Sequence, residues 1–310
     1  MSVHKFLSYL KEDNLLFKYI WLRTKYEYRK RKLSVLSDTD CINALYKGYC
    51  GHLPNLDNPL KFSEKMQWMK LHYRNELMPI VGDKFTVRDY LENLGYEHLL
   101  NDFVAVFESV DEIDLSKLPQ RFLLKASHSS GWNLIVRDKN RINWRMARKN
   151  MQYWLDNKID WDGREWHYAE MKPRIVCEKY LEDTSGGLMD YKFYCFNGEP
   201  RFVQLNVDRG LPSATQNYYD LNWNLLPFGK SLPHNPIIQA VKPKHFDEMV
   251  MLARELSKPF PYVRMDFYEA NDRIYFGEFT FFPCSGMPDF IPAVWDMKVG
   301  EMLTLPKANH

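Results

Sequence analysis

Residues 262–282 read YVRMDFYEANDRIYFGEFTFF. Two runs rich in aromatic and β-branched residues flank Asn271-Asp272, side chains that tolerate the left-handed backbone of a tight turn, so the stretch predicts an antiparallel hairpin of strands 262–268 and 274–282. Side chains alternate along a strand. Arg264, Asp266, Glu278 and Thr280 can therefore share one side of the hairpin, while Phe267, Phe276, Phe279 and Phe281 build the opposite, buried one. Two acids and a hydroxyl suit a hard magnesium ion completed by nucleotide phosphates and water, and the arginine can stabilise a transferring phosphoryl group. The same four residues also read as an ordinary cross-strand ion pair. Taken alone they leave both readings open.

Working outward, 191–196 turns at Asn197-Gly198 into 202–207, the strongest short hairpin signal in the chain. Phe246, Met249, Val250, Ala253 and Leu256 recur at helical spacing between the two hairpins, and a strand over 174–180 precedes them. Residues 171–310 thus form one lobe on an antiparallel sheet. Residues 81–170 predict a smaller one: a helix from Asp83 to Leu94 stopped by Gly95, strands over 103–107, 122–125 and 133–136, and a helix over 144–157. Residues 1–80 are helical, with a basic segment first, a second helix over 38–50 and a third capped by Ser63. The class is α+β, two lobes with a helical N-terminal extension.

Composition narrows the function. Net charge is +2 in 310 residues, which argues against nucleic acid as a bulk partner. Apolar runs are strand-length, and Lys5 and Lys11 interrupt the N-terminus, so neither a membrane span nor a secretory signal is expected and the protein should stay in the cytoplasm. Five scattered cysteines without a CxxC pair, and histidines without ligand spacing, predict reduced thiols and no transition-metal centre. Within residues 5–32, nine Lys and Arg residues interleave with apolar and aromatic ones. The segment reads as a basic amphipathic helix, either bound peripherally to the inner face of an anionic membrane or packed on the body with a solvated basic face.

Further candidates carry charge. Lys84 stands at a helix start, and Lys125 leaves an apolar strand into the small-residue loop Ser127, His128, Ser129, Ser130, Gly131. Loop N–H groups beside an ammonium can form an anion-binding concavity, although a strand-end lysine is also an ordinary solvated cation. Glu178, Lys179, Tyr180, Leu181, Glu182 and Asp183 run from a strand into a loop, where backbone groups can meet an adenine edge and a carboxylate a ribose; taken alone, an edge strand with exposed Glu explains them better.

In this order the pieces resemble the ATP-grasp superfamily. The resemblance implies two α+β lobes clasping ATP, with Lys84 and Lys125 on phosphates, Ser127–Gly131 as a flexible loop over them, residues 178–181 as the adenine hinge, and Glu182 or Asp183 near the ribose. It implies Lys192 near the γ-phosphate or acceptor, magnesium on Asp266 and Glu278, and Ser285 and Gly286 in a loop that approaches substrate. Thr280 departs from the family's Glu-x-Asn; its hydroxyl can still ligate magnesium.

A closer resemblance, over roughly residues 57–300, is to the TupA-like ATP-grasp family of teichuronopeptide and capsular-polysaccharide biosynthesis. It rests on Asn58-Pro59, Phe62-Ser63-Glu64-Lys65, Asp83-Lys84 with Val87-Arg88, Leu124-Lys125-Ala126-Ser127-His128, Asp190-Tyr191-Lys192-Phe193 continuing to Asn197-Gly198, and Gly277-Glu278-Phe279-Thr280-Phe281. It implies an ATP- and magnesium-dependent carboxylate–amine ligase that works through an acyl phosphate. The partners would be an amino acid and a uronic acid of a carbohydrate. Lys125, Lys192 and Arg264 would be catalytic, and Arg209 could grip the sugar carboxylate, with Asn217, Tyr219, Asp220 and Trp223 on the acceptor side. Rival readings are a phosphotransferase, an ATP-binding regulator, and a glycosyltransferase using Asp38-Thr39-Asp40, a DxD that helix capping by Asp38 or Thr39 explains better.

Overall fold

The computed structural model describes residues 14–182, 188–207, 215–230, 232–235, 240–288 and 290–309. Asp183 and Arg209, together with the start of the basic segment, lie outside the described residues. Packing divides the chain into two compact units: one from residues up to 41, 79–94 and 101–180, the other from 42–78, 95–100 and 181–310.

The first unit is built on a four-stranded antiparallel sheet. Strands β1 (Phe103–Phe107), β2 (Phe122–Ala126), β3 (Asn133–Val136) and β4 (Ile175–Lys179) lie in the order β1-β4-β2-β3. Alternation sends Phe122, Leu124, Ala126, Ile175 and Cys177 into a core closed by Trp132, Met151 and Trp154. It leaves Lys125 and Glu178 on the sheet's other face. Helix α1 (Leu15–Leu33) joins that core through Leu15, Tyr19 and Tyr26. Asn14 caps it, its side chain accepting from the N–H groups of Leu16 and Phe17 at 3.1 Å each. Helix α2 (Asp38–Cys50) is capped by Ser37, whose Oγ accepts from the Asp40 N–H at 3.1 Å, rather than by Asp38 or Thr39.

The second unit carries the five-stranded antiparallel sheet β7-β6-β5-β8-β9, formed by β5 (Met189–Phe196), β6 (Glu199–Val207), β7 (Thr215–Asp220), β8 (Tyr262–Ala270) and β9 (Arg273–Thr280). Asn197 and Gly198, at φ 50° and 81°, make the tight turn that their sequence predicts. The Asn197 side chain also bonds the backbone of Thr304, donating at 2.8 Å and accepting at 2.9 Å. One sheet face is apolar: Phe193, Met265 and Phe267 are fully buried there, and the Phe246 ring of the helix Phe246–Ser257 sits 5.7 Å from Phe193.

The N-terminal helices are shared between the two units. Residues up to 41 belong to the first unit and 42–78 to the second, where helix α3 (Phe62–His72) packs Phe62 against Tyr262 and Phe196 at ring distances of 5.0 and 6.0 Å. Ser63 is not its cap. The Glu64 carboxylate accepts from the Leu60 and Lys61 N–H groups instead, and Ser63 bonds Asp296 through N and Oγ at 2.9 and 2.6 Å. The start of the helix is therefore fixed by a glutamate one turn inside it.

Candidate functional site

A cluster of charges occupies the polar face of the five-stranded sheet. Register sets it: Asp266 pairs with Lys192 on β5 and with Glu278 on β9, and Arg264 pairs with Thr280. Simple alternation cannot place both Phe276 and Glu278 correctly, because they lie two residues apart and face opposite sides. A bulge solves this. The register shifts between Asp266 and Phe267, and Gly277 is the extra residue. A Cβ on Gly277 would lie 2.9 Å from the Asp266 carbonyl oxygen, so the close approach requires glycine.

Arg264 clamps Asp266 with Nε and Nη2 at 2.6 and 2.7 Å, and Nη2 reaches Glu278 at 3.1 Å and Thr280 Oγ1 at 3.0 Å. Thr280 donates to Glu278 at 3.0 Å, so its hydroxyl orients the carboxylate. Lys192 bonds Asp190 at 2.7 Å and also Asp266. Burial works against the Lys192 ammonium, but Asp266 and Asp190 outweigh it and lift its pKa above the ordinary lysine value. Lys192 is therefore charged at every working pH. Asp190 was missed as a site residue, although its two-residue spacing from Lys192 puts both on one strand face.

Glu278 is 37 % exposed beside the buried Asp266, whose two oxygens are bonded by Arg264 and Lys192. Two adjacent carboxylates are donors of the type magnesium takes when phosphates and water supply its other ligands, with Glu278 the one open to solvent. No group of three or more His, Cys, Asp or Glu residues able to hold a metal occurs among the described residues.

In the first unit, Asp83 organises a second cluster. Its Oδ1 accepts from the N–H of Phe85 at 2.7 Å at the entry to the helix Thr86–Asn93, and its Oδ2 from Ser127 Oγ at 3.0 Å. Lys84 donates Nζ to the Ser129 carbonyl at 2.7 Å. Ser127, His128 and Ser129 are buried, while Ser130 and Gly131 are exposed. His128 Nε2 lies 2.9 and 3.0 Å from the carbonyls of Trp154 and Asn157, so it carries the proton there, and burial pushes its pKa below the usual 6.5. Lys125 pairs with Glu178 at 2.7 Å across the open sheet face. In the segment after Glu178, Lys179 N–H donates to Asp102 O and its carbonyl accepts from Asn101, so that backbone is committed; Arg121 covers the Tyr180 ring at 4.6 Å. Leu181 is half-buried and Glu182 exposed, and the Glu182 carbonyl accepts from Asn271 at 2.7 Å.

The loop Pro283–Gly286 follows the cluster. Cys284 and Ser285 both have φ 53°, a strained conformation for residues with a Cβ. Buried Lys70 holds it, bonding Ser285 O and Oγ at 2.7 and 2.9 Å, together with Gln67, which donates to Gly286 O at 2.9 Å. Sequence reasoning missed both, since nothing local ties residues 67 and 70 to 285. The residues named for the acceptor side have partners within the second unit. Asn217 bonds the Asn235 backbone, Tyr219 stacks on Trp223 at 4.4 Å, and Asp220 accepts from the N–H groups of Asn222 and Asn224.

The family model for TupA-like ATP-grasp proteins matches residues 64–304, most of the chain. The chain belongs to the TupA-like ATP-grasp family. It has the ATP-grasp fold. No curated protein matches the sequence. Solved structures similar to this TupA-like chain include D-alanine–D-alanine ligase from Bacillus anthracis complexed with ATP, at 15% identity over 65% of this chain and 55% of that one, TM-score 0.39. Another is D-alanine–D-alanine ligase from Helicobacter pylori, at 12% identity over 78% and 69%, TM-score 0.42. A third is the ATP-grasp ligase PsnB complexed with minimal precursor, Mg and ADP, at 10% identity over 71% and 57%, TM-score 0.39. The chain thus spans little more than half the length of the first of these.

Proposed function

We propose that this TupA-like protein is an ATP- and magnesium-dependent ligase that joins a carboxylate to an amine, the carboxylate coming from a uronic acid of a surface or capsular polysaccharide and the amine from an amino acid. The observation that carries the reading is the Arg264–Asp266–Glu278–Thr280 set with Lys192 beside it: cations held by acids on one rigid sheet face. Magnesium held at Asp266 and Glu278 would neutralise charge on the nucleotide's phosphate oxygens. Lys84 and Lys125 would bind phosphate oxygens, and the backbone after Lys179 would meet the adenine. A substrate carboxylate oxygen attacks the γ-phosphorus and ADP leaves; Arg264 and Lys192 stabilise the charge spreading over the transferred group. The amine then attacks the acyl carbon, phosphate departs, and the nitrogen loses its proton.

Such chemistry relies on positioning and electrostatics, in keeping with a site that has acids and cations but no nucleophile–base pair. ATP places the reaction in the cytoplasm. The test is mass spectrometry of products after incubation with ATP, magnesium, an amino-acid pool and uronic-acid oligosaccharides. A condensation product with ADP and free phosphate is expected, lost in Lys192→Met. A phosphorylated sugar formed without any amine would establish a phosphotransferase instead.

A further inference from the structure

Helix α1 has two differently used sides. Leu15, Tyr19 and Tyr26 pack into the core of the first unit, which accounts for one stripe. The stripe on the outside is also apolar at its start. Leu16 and Ile20 are each 50% exposed, Phe17 and Trp21 stack at 6.3 Å beside them, and Tyr28 is exposed a further two turns on. Leu16, Ile20 and Tyr28 keep half or more of their surface exposed.

Charge then says what it meets. Residues 15–33 hold seven Lys and Arg against one acid, Glu27. Arg29 turns inward to Asp162, and Lys18 to the Asn133 carbonyl. Arg23, Lys25, Arg31 and Lys32 are exposed, and Lys25 lies 5.6 Å above the Trp21 ring. The outer surface therefore runs from apolar and aromatic at the N-terminal end to cationic at the other. Among the described residues no helix is long and apolar enough to cross a membrane.

We propose that the outward face of α1 docks on an anionic lipid bilayer, with Leu16, Phe17, Ile20 and Trp21 entering the interface and Lys25, Arg31 and Lys32 meeting headgroup phosphates. Aromatic rings favour the headgroup boundary, and cations add attraction only where the lipid is anionic. This stands apart from the ligase reading and holds whatever reaction the protein catalyses.

The test is co-sedimentation of the full chain with phosphatidylcholine vesicles and with vesicles of equal parts phosphatidylcholine and phosphatidylglycerol. Wild type should bind the anionic vesicles roughly tenfold more tightly, and the paired changes Leu16→Ser with Ile20→Ser, or Lys25→Glu with Lys32→Glu, should each weaken binding by roughly fivefold or more. Melting temperatures should match wild type, since all four side chains are surface groups. Equal binding to both vesicle types, or no binding, overturns the proposal. So does full retention by the Leu16→Ser, Ile20→Ser protein with displacement by heparin, which would make the helix a binder of soluble polyanions.

Discussion

At the scale of single residues, His128 shows how burial turns a candidate ligand into a structural group. Its Nε2–H faces two carbonyls, so the neutral ring suits the folded state and protonation is disfavoured. Because the folded pKa lies below 6.5, the unfolded chain takes up the proton first. This contribution to stability is complete above pH 6.5 and is lost as pH falls from there through the folded value. Thermal melts across that range should show His128→Gln less stable at neutral pH but with a flatter acid slope; a slope equal to wild type would remove His128 from the account. Little of this was legible beforehand. A histidine between serines after a strand looks like a loop ligand, and only the position of residues 154 and 157, a helix away, sends it inward. Lys192 is the opposite case, since its two-residue spacing from Asp190 was a usable but unused sign that both share a face, and cross-strand register supplied the rest.

Among elements, the hairpin of β8 and β9 was readable as a hairpin, and so was the side of Arg264 and Asp266. Its internal irregularity was not. Alternation predicts one parity along a strand, whereas Phe276 and Phe279 are both buried with Glu278 between them on the polar face. The one visible sign was Gly277, and a glycine within a strand pattern can equally mark a weak strand. Gly277→Val should clash with the Asp266 carbonyl, shift β9 and misplace Glu278 and Thr280. We expect ATP-dependent product formation to fall by roughly a hundredfold or more, as displaced catalytic groups do. The far-UV circular dichroism should be little changed; wild-type turnover would mean that the bulge does not set the site. The loop Pro283–Gly286 was legible only as a run of small residues approaching substrate; its hold by Lys70 and Gln67 comes from residues far away in the sequence.

For the molecule as a whole, any ligand that binds only the folded protein stabilises it by mass action, by about 2.7 kcal/mol at a hundredfold excess over its Kd. Magnesium and ATP together should therefore raise the melting temperature by several degrees, more than ATP with a chelator. Asp266→Asn, Glu278→Gln should lose the magnesium-dependent part, and an undiminished shift would move the metal elsewhere. The family and the α+β class were legible from motif order over most of the chain. The membership of the N-terminal helices was not, because amphipathic spacing says that a helix packs without saying on which sheet.

The turn at Asn197-Gly198 has a chemical consequence. An asparagine followed by glycine is the pair most prone to spontaneous deamidation, in which the glycine nitrogen closes on the side-chain carbonyl carbon to a succinimide. Here both polar atoms of the Asn197 amide are bonded to the backbone of Thr304, which pins the side chain away from that nitrogen. Thr304 thus guards the hairpin against ageing, and losing its hold starts a slow covalent clock at that turn.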